Sequence, residues 1–280
     1  MRPLSEVRRL SLRELRECVK EALMSGHETL MEALSEDRRE VVGRGGFGDL
    51  SYGFDRLTEK AIVDALTRKL DNFYLISEEL GFIPRESPEY YVVIDPVDGS
   101  TNAFYGIPFY ASSIAISSSP KAEDILVAGV IDHVRRKIFL GDKESGVSID
   151  QHAPSLRKTS SLQDSLIQMN LDALKESADL RGWAERIFTR SKHLRYFSAA
   201  SLEVCYLIEG KADAYICLTS NLKVMDFYAS ASLLEWAGGA YEILGGKPTL
   251  LDKGKYGIIA ASNQDLLREI CSLRKCSPCD

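Results

Sequence analysis

Leu15, Val19, Ala22 and Leu23 recur at helical spacing behind Ser11-Leu-Arg-Glu14, so the pattern predicts an amphipathic helix with a capping-box start. A second apolar stripe, Leu57, Ala61, Ile62, Ala65, Leu66 and Leu70, predicts another helix after Asp55. Apolar runs then predict strands at 73–76, 90–94, 109–116, 125–131 and 137–140, several with no helix between them. Residues 1–150 therefore read as an α+β half. From 151 to 280 strands and helices alternate: a strand at 166–169, helices near 178–190 and 200–209, and a strand at 212–216. A helix from Asp226 ends at Gly238-Gly239, and a strand at 257–260 precedes a last helix after Asn263. This half reads as α/β. There is no internal repeat and no low-complexity linker, so the two halves are expected to pack tightly.

The 280 residues suffice for one large domain or two modest ones, and 45% hydrophobic with 27% charged residues is ordinary globular composition. No apolar run is long enough to span a bilayer, and the first residues are charged where a signal peptide would be apolar. A cytoplasmic location is the default expectation. The net charge of -6 argues against nucleic acid or an anionic membrane as a partner. An acidic protein that binds phosphate is expected to do so through metals. Cys18, Cys205 and Cys217 read as small core residues. Cys271, Cys276 and Cys279 have the spacing to bind zinc or form a bridge, but they lie at the C-terminus without a fourth ligand, so a frayed tail or a stabilising disulfide is the plainer reading.

Gly43-Arg-Gly-Gly-Phe-Gly48 formally satisfies the dinucleotide pattern, which requires a strand before it and a helix opening at the last glycine. Here a charged segment precedes it and Asp49-Leu-Ser-Tyr-Gly53 delays the helix, so a mobile loop beside a site is the expectation. The stronger chemistry is acidic. The apolar run 90–94 stops at Asp95-Pro96, which places Asp95 and Asp98 at the end of a buried strand. Asp98-Gly-Ser-Thr then turns into a helix N-terminus whose Gly99 and Ser100 N–H groups can cradle a phosphate. Ser77-Glu78-Glu79 closes another strand in the same way, and Asp226 opens a helix. Carboxylates at element ends suit magnesium. Singly they are turn formers or solvated surface; together they make a metal centre. A phosphatase with an aspartate nucleophile would carry Asp-x-Asp, whereas the spacing here is Asp-x-x-Asp.

Ser77-Glu78-Glu79, Asp95-Pro-Val-Asp-Gly-Ser-Thr-Asn102 and Asp226 with its helix ending in Ala237-Gly-Gly239 resemble the inositol monophosphatase family, part of the lithium-sensitive sugar phosphatase superfamily. Ser198-Ala-Ala-Ser-Leu-Glu-Val-Cys-Tyr206 and Gly210-Lys-Ala-Asp-Ala-Tyr215 extend the likeness, which spans roughly residues 10 to 262. The spacing from Asp213 to Asp226, with Gly106-Ile-Pro-Phe-Tyr110, is most similar to archaeal enzymes acting on both inositol monophosphate and fructose 1,6-bisphosphate. The resemblance implies a layered αβαβα sandwich, the sugar phosphatase fold, and commonly a homodimer. It also implies two or three Mg²⁺ ions held by Glu78, Asp95, the Val97 carbonyl, Asp98 and Asp226, with Glu78 or Glu79 serving the third. By the same resemblance Ser100 orients the attacking water with Asp55 as its partner, Arg44 approaches the phosphate, and Ser198 and Ala199 face the sugar or polyol. His27, His133, His152 and His193 match no motif.

Two departures bear on substrate. Animal family members carry a glutamate shortly before the third aspartate, whereas 216–224 holds no carboxylate and only Lys223 is basic. A second phosphate would then call on Arg190, Lys192, His193 or Arg195. A nucleotidase for 3′,5′-bisphosphate nucleotides and a non-catalytic regulatory binding protein are the competing readings.

Overall fold

The computed structural model describes residues 9–275. The capping box forms, with Ser11 N donating to the Glu14 carboxylate at 2.8 Å, and starts α1 (Leu12–Ser35). Next come a hairpin of β1 (Val41–Arg44) and β2 (Leu50–Tyr52), then α2 (Gly53–Thr67). A first sheet holds β3 (Phe73–Ser77), β4 (Gly81–Ile83), β5 (Tyr90–Asp98), β6 (Ala111–Ser117), β7 (Ile125–Asp132), β8 (Lys137–Asp142) and β9 (Gly146–Ile149). Its spatial order is β4-β3-β5-β6-β7-β8-β9, antiparallel apart from β3 beside β5. The short α3 (Ser100–Tyr105) follows β5.

The second sheet comprises β10 (Leu166–Met169), β11 (His193–Arg195), β12 (Ala214–Leu222), β13 (Ala240–Leu244) and β14 (Tyr256–Ala261), in the order β11-β10-β12-β14-β13. Interleaved are α4 (Ala178–Arg190), α5 (Ala200–Ile208), α6 (Val224–Trp236) and α7 (Gln264–Ser272).

The strand period of two sets the layers. Leu15, Val19, Ile62 and Leu66 of α1 and α2 cover one face of the first sheet, against Val92, Ile94, Ile114 and Val127. Helices α5 and α6 fill the space between the sheets: Leu202, Phe227 and Leu233 meet Val93 and Val130 on one side and Tyr215 and Cys217 on the other. The alternate residues of β12, Ala214 and Ile216, face Trp183, Ile187 and Ile270 of α4 and α7. The order is α1 and α2, sheet, α5 and α6, sheet, α4 and α7: the expected αβαβα sandwich. Among the described residues, no helix is long and apolar enough to cross a membrane.

Several details depart from the pattern. The glycine-rich stretch is the β1–β2 hairpin, anchored where Gly46 N donates to the carbonyls of Glu78 and Glu79. Helix α2 begins before Asp55, and β5 runs through Pro96 to Asp98. Strands β4, β9, β11 and β13 are additions to the pattern; each lies at a sheet edge.

Candidate active site

On an unbroken strand Asp95 and Asp98 would point to opposite faces. The register shifts between them: Asp95 pairs with Ser113 and Asp98 with Ala111, so Pro96 and Val97 together oppose Ser112. This is a β-bulge, and proline fits it because it has no N–H to give the ladder. Parallel pairing of Ser77 with Ile94 brings Glu78 beside Asp95. Asp226 arrives from the first turn of α6, where its carboxylate accepts from Lys223 N at 2.8 Å. One cavity of about 150 Å³ is lined by Glu78, Asp95, Val97, Asp98, Ser100 and Asp226, with Gly99 and Ser198 at its wall.

The carboxylates are costly neighbours. Burial and then the charge of Glu78 push Asp226 up to about 8, and burial pushes Asp98 up to about 6 against the hydrogen bonds from Ser201. Asp95, fully enclosed, is driven well above the usual range by burial and by Glu78, Asp98 and Asp226. Lys223 is the internal counter-charge: its side chain is 5% exposed, and Nζ donates to Glu78 Oε1 at 2.9 Å and to Asp49 of the hairpin. Burial opposes its charge, but Glu78 and Asp226 outweigh that and hold its pKa above the ordinary lysine value.

Asp98 caps α5, accepting from Ala200 N at 3.0 Å, Ser201 N at 2.7 Å and the Ser201 hydroxyl. Gly99, at φ +84°, is the N-cap of α3, and a Cβ there would lie 3.0 Å from Ala199 Cβ, so the close approach of α3 and α5 needs glycine. Ala199 is buried at this contact, while Ser198 reaches the cavity from a left-handed backbone at φ +63°. Asp55 accepts from Tyr52 N at 3.0 Å through one oxygen, and its buried Oδ1 has no hydrogen-bond partner, so it is not bonded to Ser100. Glu79 turns from the cavity to Ser51 and Arg56. Arg44 is exposed on β1 with its guanidinium on the Gly48 carbonyl at 2.5 Å, and Arg190, Lys192, His193 and Arg195 do not line the cavity. Cys271 is half-buried beside Glu242, and Cys276 and Cys279 lie outside the described residues.

Three supporting residues escape sequence reasoning. Glu59 accepts from Glu79 N at 3.1 Å, Leu80 N and the Ser77 hydroxyl, fixing the turn that carries Glu78; burial raises it to about 7. Glu203 accepts from Phe197 N and Ala199 N and shapes the Ser198 turn, and burial raises it to about 8. Asn102 donates to the Phe109 and Phe197 carbonyls, tying α3 to that turn. Asn102 and Glu203 lie in stretches that carry the family likeness and could have been flagged there, whereas Glu59 lies in none.

Among the described residues, no three His, Cys, Asp or Glu side chains converge on one point with ligating geometry. Each carboxylate is committed elsewhere: Glu78 to Lys223, Asp95 to Val97 N at 3.1 Å, Asp98 to α5 and Asp226 to Lys223 N. The donor set still fits a hard divalent cation, since it is all oxygen and crowded with like charge, and its Glu78 also acts on the buried Asp55, whose Oδ1 is unpartnered.

The family that the sequence matches makes this a phosphoric monoester hydrolase by class. The chain belongs to the inositol monophosphatase family, whose sequence profile matches residues 11–278. It is 29% identical over 249 residues to a fructose-1,6-bisphosphatase/inositol-1-monophosphatase of Methanothermobacter thermautotrophicus, covering 84% of this chain and 87% of that protein. It is 28% identical to a bifunctional NADP phosphatase/NAD kinase of Methanococcus maripaludis, covering 85% of this chain but only 45% of that longer protein. The crystal structure of the extragenic suppressor protein SuhB of Bartonella henselae superposes with a TM-score of 0.82 at 24% identity, covering 93% of this chain and 98% of that one.

Proposed function

We propose that the protein is a Mg²⁺-dependent phosphomonoesterase for a small phosphorylated polyol or sugar, with inositol 1-phosphate and fructose 1,6-bisphosphate the leading substrates. The observation that carries the reading is the bulge at Asp95–Asp98, which aims two carboxylates and the N-terminus of α3 into the cavity that Glu78 and Asp226 also line. The family is generally metal-dependent. Glu78, Asp95, Asp98, Asp226 and the Val97 carbonyl would hold the ions, and bound Mg²⁺ would activate water and stabilise the leaving oxygen of an in-line displacement at phosphorus.

The chain's own groups do the rest. Ser100 and Gly99 offer N–H groups to the phosphoryl oxygens, and the Ser100 hydroxyl orients the water. Asp55 Oδ1, buried and unpartnered, takes a proton-bearing partner on that side. Glu78 shared with an ion would release Lys223 from that pair, and Lys223 would keep its pairing with Asp49 of the hairpin. Ser198, at the cavity wall, would meet the ring of a substrate whose phosphate lies at the N-terminus of α3. Arg44, Glu79 and Ala199 then act from outside the cavity. A homodimer and a cytoplasmic location complete the reading, with residues 1–150 supplying most ligands and 151–280 supplying Asp226 and the ring contacts.

A side-by-side assay of inositol 1-phosphate, fructose 1,6-bisphosphate, adenosine 3′,5′-bisphosphate and NADP with Mg²⁺ tests the substrate class. A nucleotide preferred tenfold in kcat/KM, about 1.4 kcal/mol of discrimination, overturns the sugar or polyol reading. No hydrolysis of any of the four favours the regulatory binding protein.

A further inference from the structure

Two of the histidines that match no motif form a buried chain leading to the bulge. His27 of α1 and His133, after β7, approach Nδ1 to Nδ1 at 3.1 Å with rings stacked at 6°. His133 Nε2 lies 2.8 Å from Ser112 Oγ, and Ser112 Oγ donates to the Pro96 carbonyl at 2.5 Å. All three side chains are buried. Proton counting fixes the direction. A carbonyl has no proton to give, so the single Ser112 proton goes to Pro96 O, and Ser112 accepts from His133 Nε2–H. Burial and then the neighbouring His27 keep His133 neutral, its pKa pushed down to about 3, so its Nδ1 is an acceptor and His27 Nδ1–H is the donor. Every bond then donates toward Pro96, an arrangement in which each bond polarises the next.

Resting on the functional reading above, we propose that His27, His133 and Ser112 are positioning residues for the metal-holding bulge. Ser112 is the one residue opposite Pro96 and Val97, and it gives the Pro96 carbonyl the partner that the interrupted ladder cannot. A fixed Pro96–Val97 peptide aims Val97 N at Asp95 Oδ1 at 3.1 Å and sets which Asp95 oxygen stays free for an ion. Outer partners of this kind typically govern metal affinity by ~10–100-fold.

The test has metal-free and metal-bound arms. Two-bond ¹H–¹⁵N spectra of the chelated wild-type protein should give His133 as the Nε2–H tautomer and His27 as Nδ1–H. In Ser112→Ala, Val97 amide exchange should quicken by about tenfold or more in chelator, with the amides of β7 and β8 unchanged, and the Mg²⁺ dissociation constant by calorimetry should rise about tenfold. With Ser112 intact, His133→Leu should show both effects, whereas His133→Gln, which keeps a donor toward Ser112, should leave both near wild type. An Nδ1–H tautomer at His133, or unaltered Val97 exchange in Ser112→Ala, overturns the proposal. A purely structural role would lower the melting temperature but leave Mg²⁺ affinity within about twofold, which also overturns it. Should wild type bind no Mg²⁺, the functional reading fails, and the tautomers and Val97 exchange still decide the relay.

Discussion

Lys223→Met keeps most of the aliphatic stem but removes the internal cation, including its position 5.4 Å from the centroid of the Phe47 ring. Its ammonium is 2.9 Å from Glu78 Oε1, which at an effective dielectric of ~20 is a gross attraction of ~6 kcal/mol. Desolvating the ammonium offsets several kcal/mol of that. Glu78 is 23% exposed and rehydrates in part, and the Asp49 pair, with 52% of that side chain exposed, adds little. The remainder is about 2 kcal/mol lost in chelator, or ~3–4 °C in melting temperature for a chain of this size. A raised lysine contributes fully below its unfolded pKa near 10.4, so the whole effect is present at pH 7. Millimolar Mg²⁺ should erase most of the deficit, and Mg²⁺ should bind the variant several-fold more tightly because Glu78 is no longer shared. Differential scanning calorimetry with and without chelator, and calorimetric Mg²⁺ titration, read both. A variant as stable as wild type in chelator, with unchanged Mg²⁺ affinity, would refute the counter-charge role.

Asp95→Asn should abolish phosphate release, by at least about a thousandfold, with unchanged circular dichroism; turnover within tenfold of wild type would contradict its place in the centre. In chelator, stability should fall from pH 6.5 to 8. Asp226 and Glu203, raised to about 8, hold protons in the folded state that the unfolded state has released, and each contributes on the order of 1–2 kcal/mol of the loss. The depressed His133 acts oppositely but only below about pH 6.5, so a melting temperature that rises across this window would count against the raised carboxylates. Glu203→Gln should stay within about 1 kcal/mol of wild type because one oxygen still accepts at the Ser198 turn, and Glu203→Ala should cost about 2–3 kcal/mol by denaturant unfolding, two buried N–H groups losing their partner.

The legible part of the site was local. The sequence Asp95 to Asn102 carries its own bulge former, its glycine and its helix start, and the two strand ends with Glu78 and Asp95 are marked by apolar runs that stop at acids. The layered fold followed from the family resemblance, while the pattern supplied most of its helices and longer strands. What the pattern could not carry is contact between segments far apart in the chain. Glu59 meets the Ser77–Leu80 turn across about one helix and loop, Lys223 reaches back to Asp49 and Glu78, and His27 meets His133 across half the sheet. None of these has a period or a spacing, since each arises only when layers pack. The glycine-rich stretch fell between the two cases: its glycines mark close approach of Gly46 to the Leu80–Gly81 backbone, where a Cβ would meet Gly81 N at 2.4 Å, and composition alone reads as mobility.

The proposed reaction is Mg²⁺-dependent hydrolysis of phosphoric monoesters in this carboxylate cavity. The most direct measurement is phosphate release from inositol 1-phosphate and fructose 1,6-bisphosphate by the purified full chain, in millimolar Mg²⁺ and again in chelator. Release should depend on Mg²⁺, stop in chelator and return when the metal is restored; equal release with and without metal, or none from either ester, would contradict the proposed reaction.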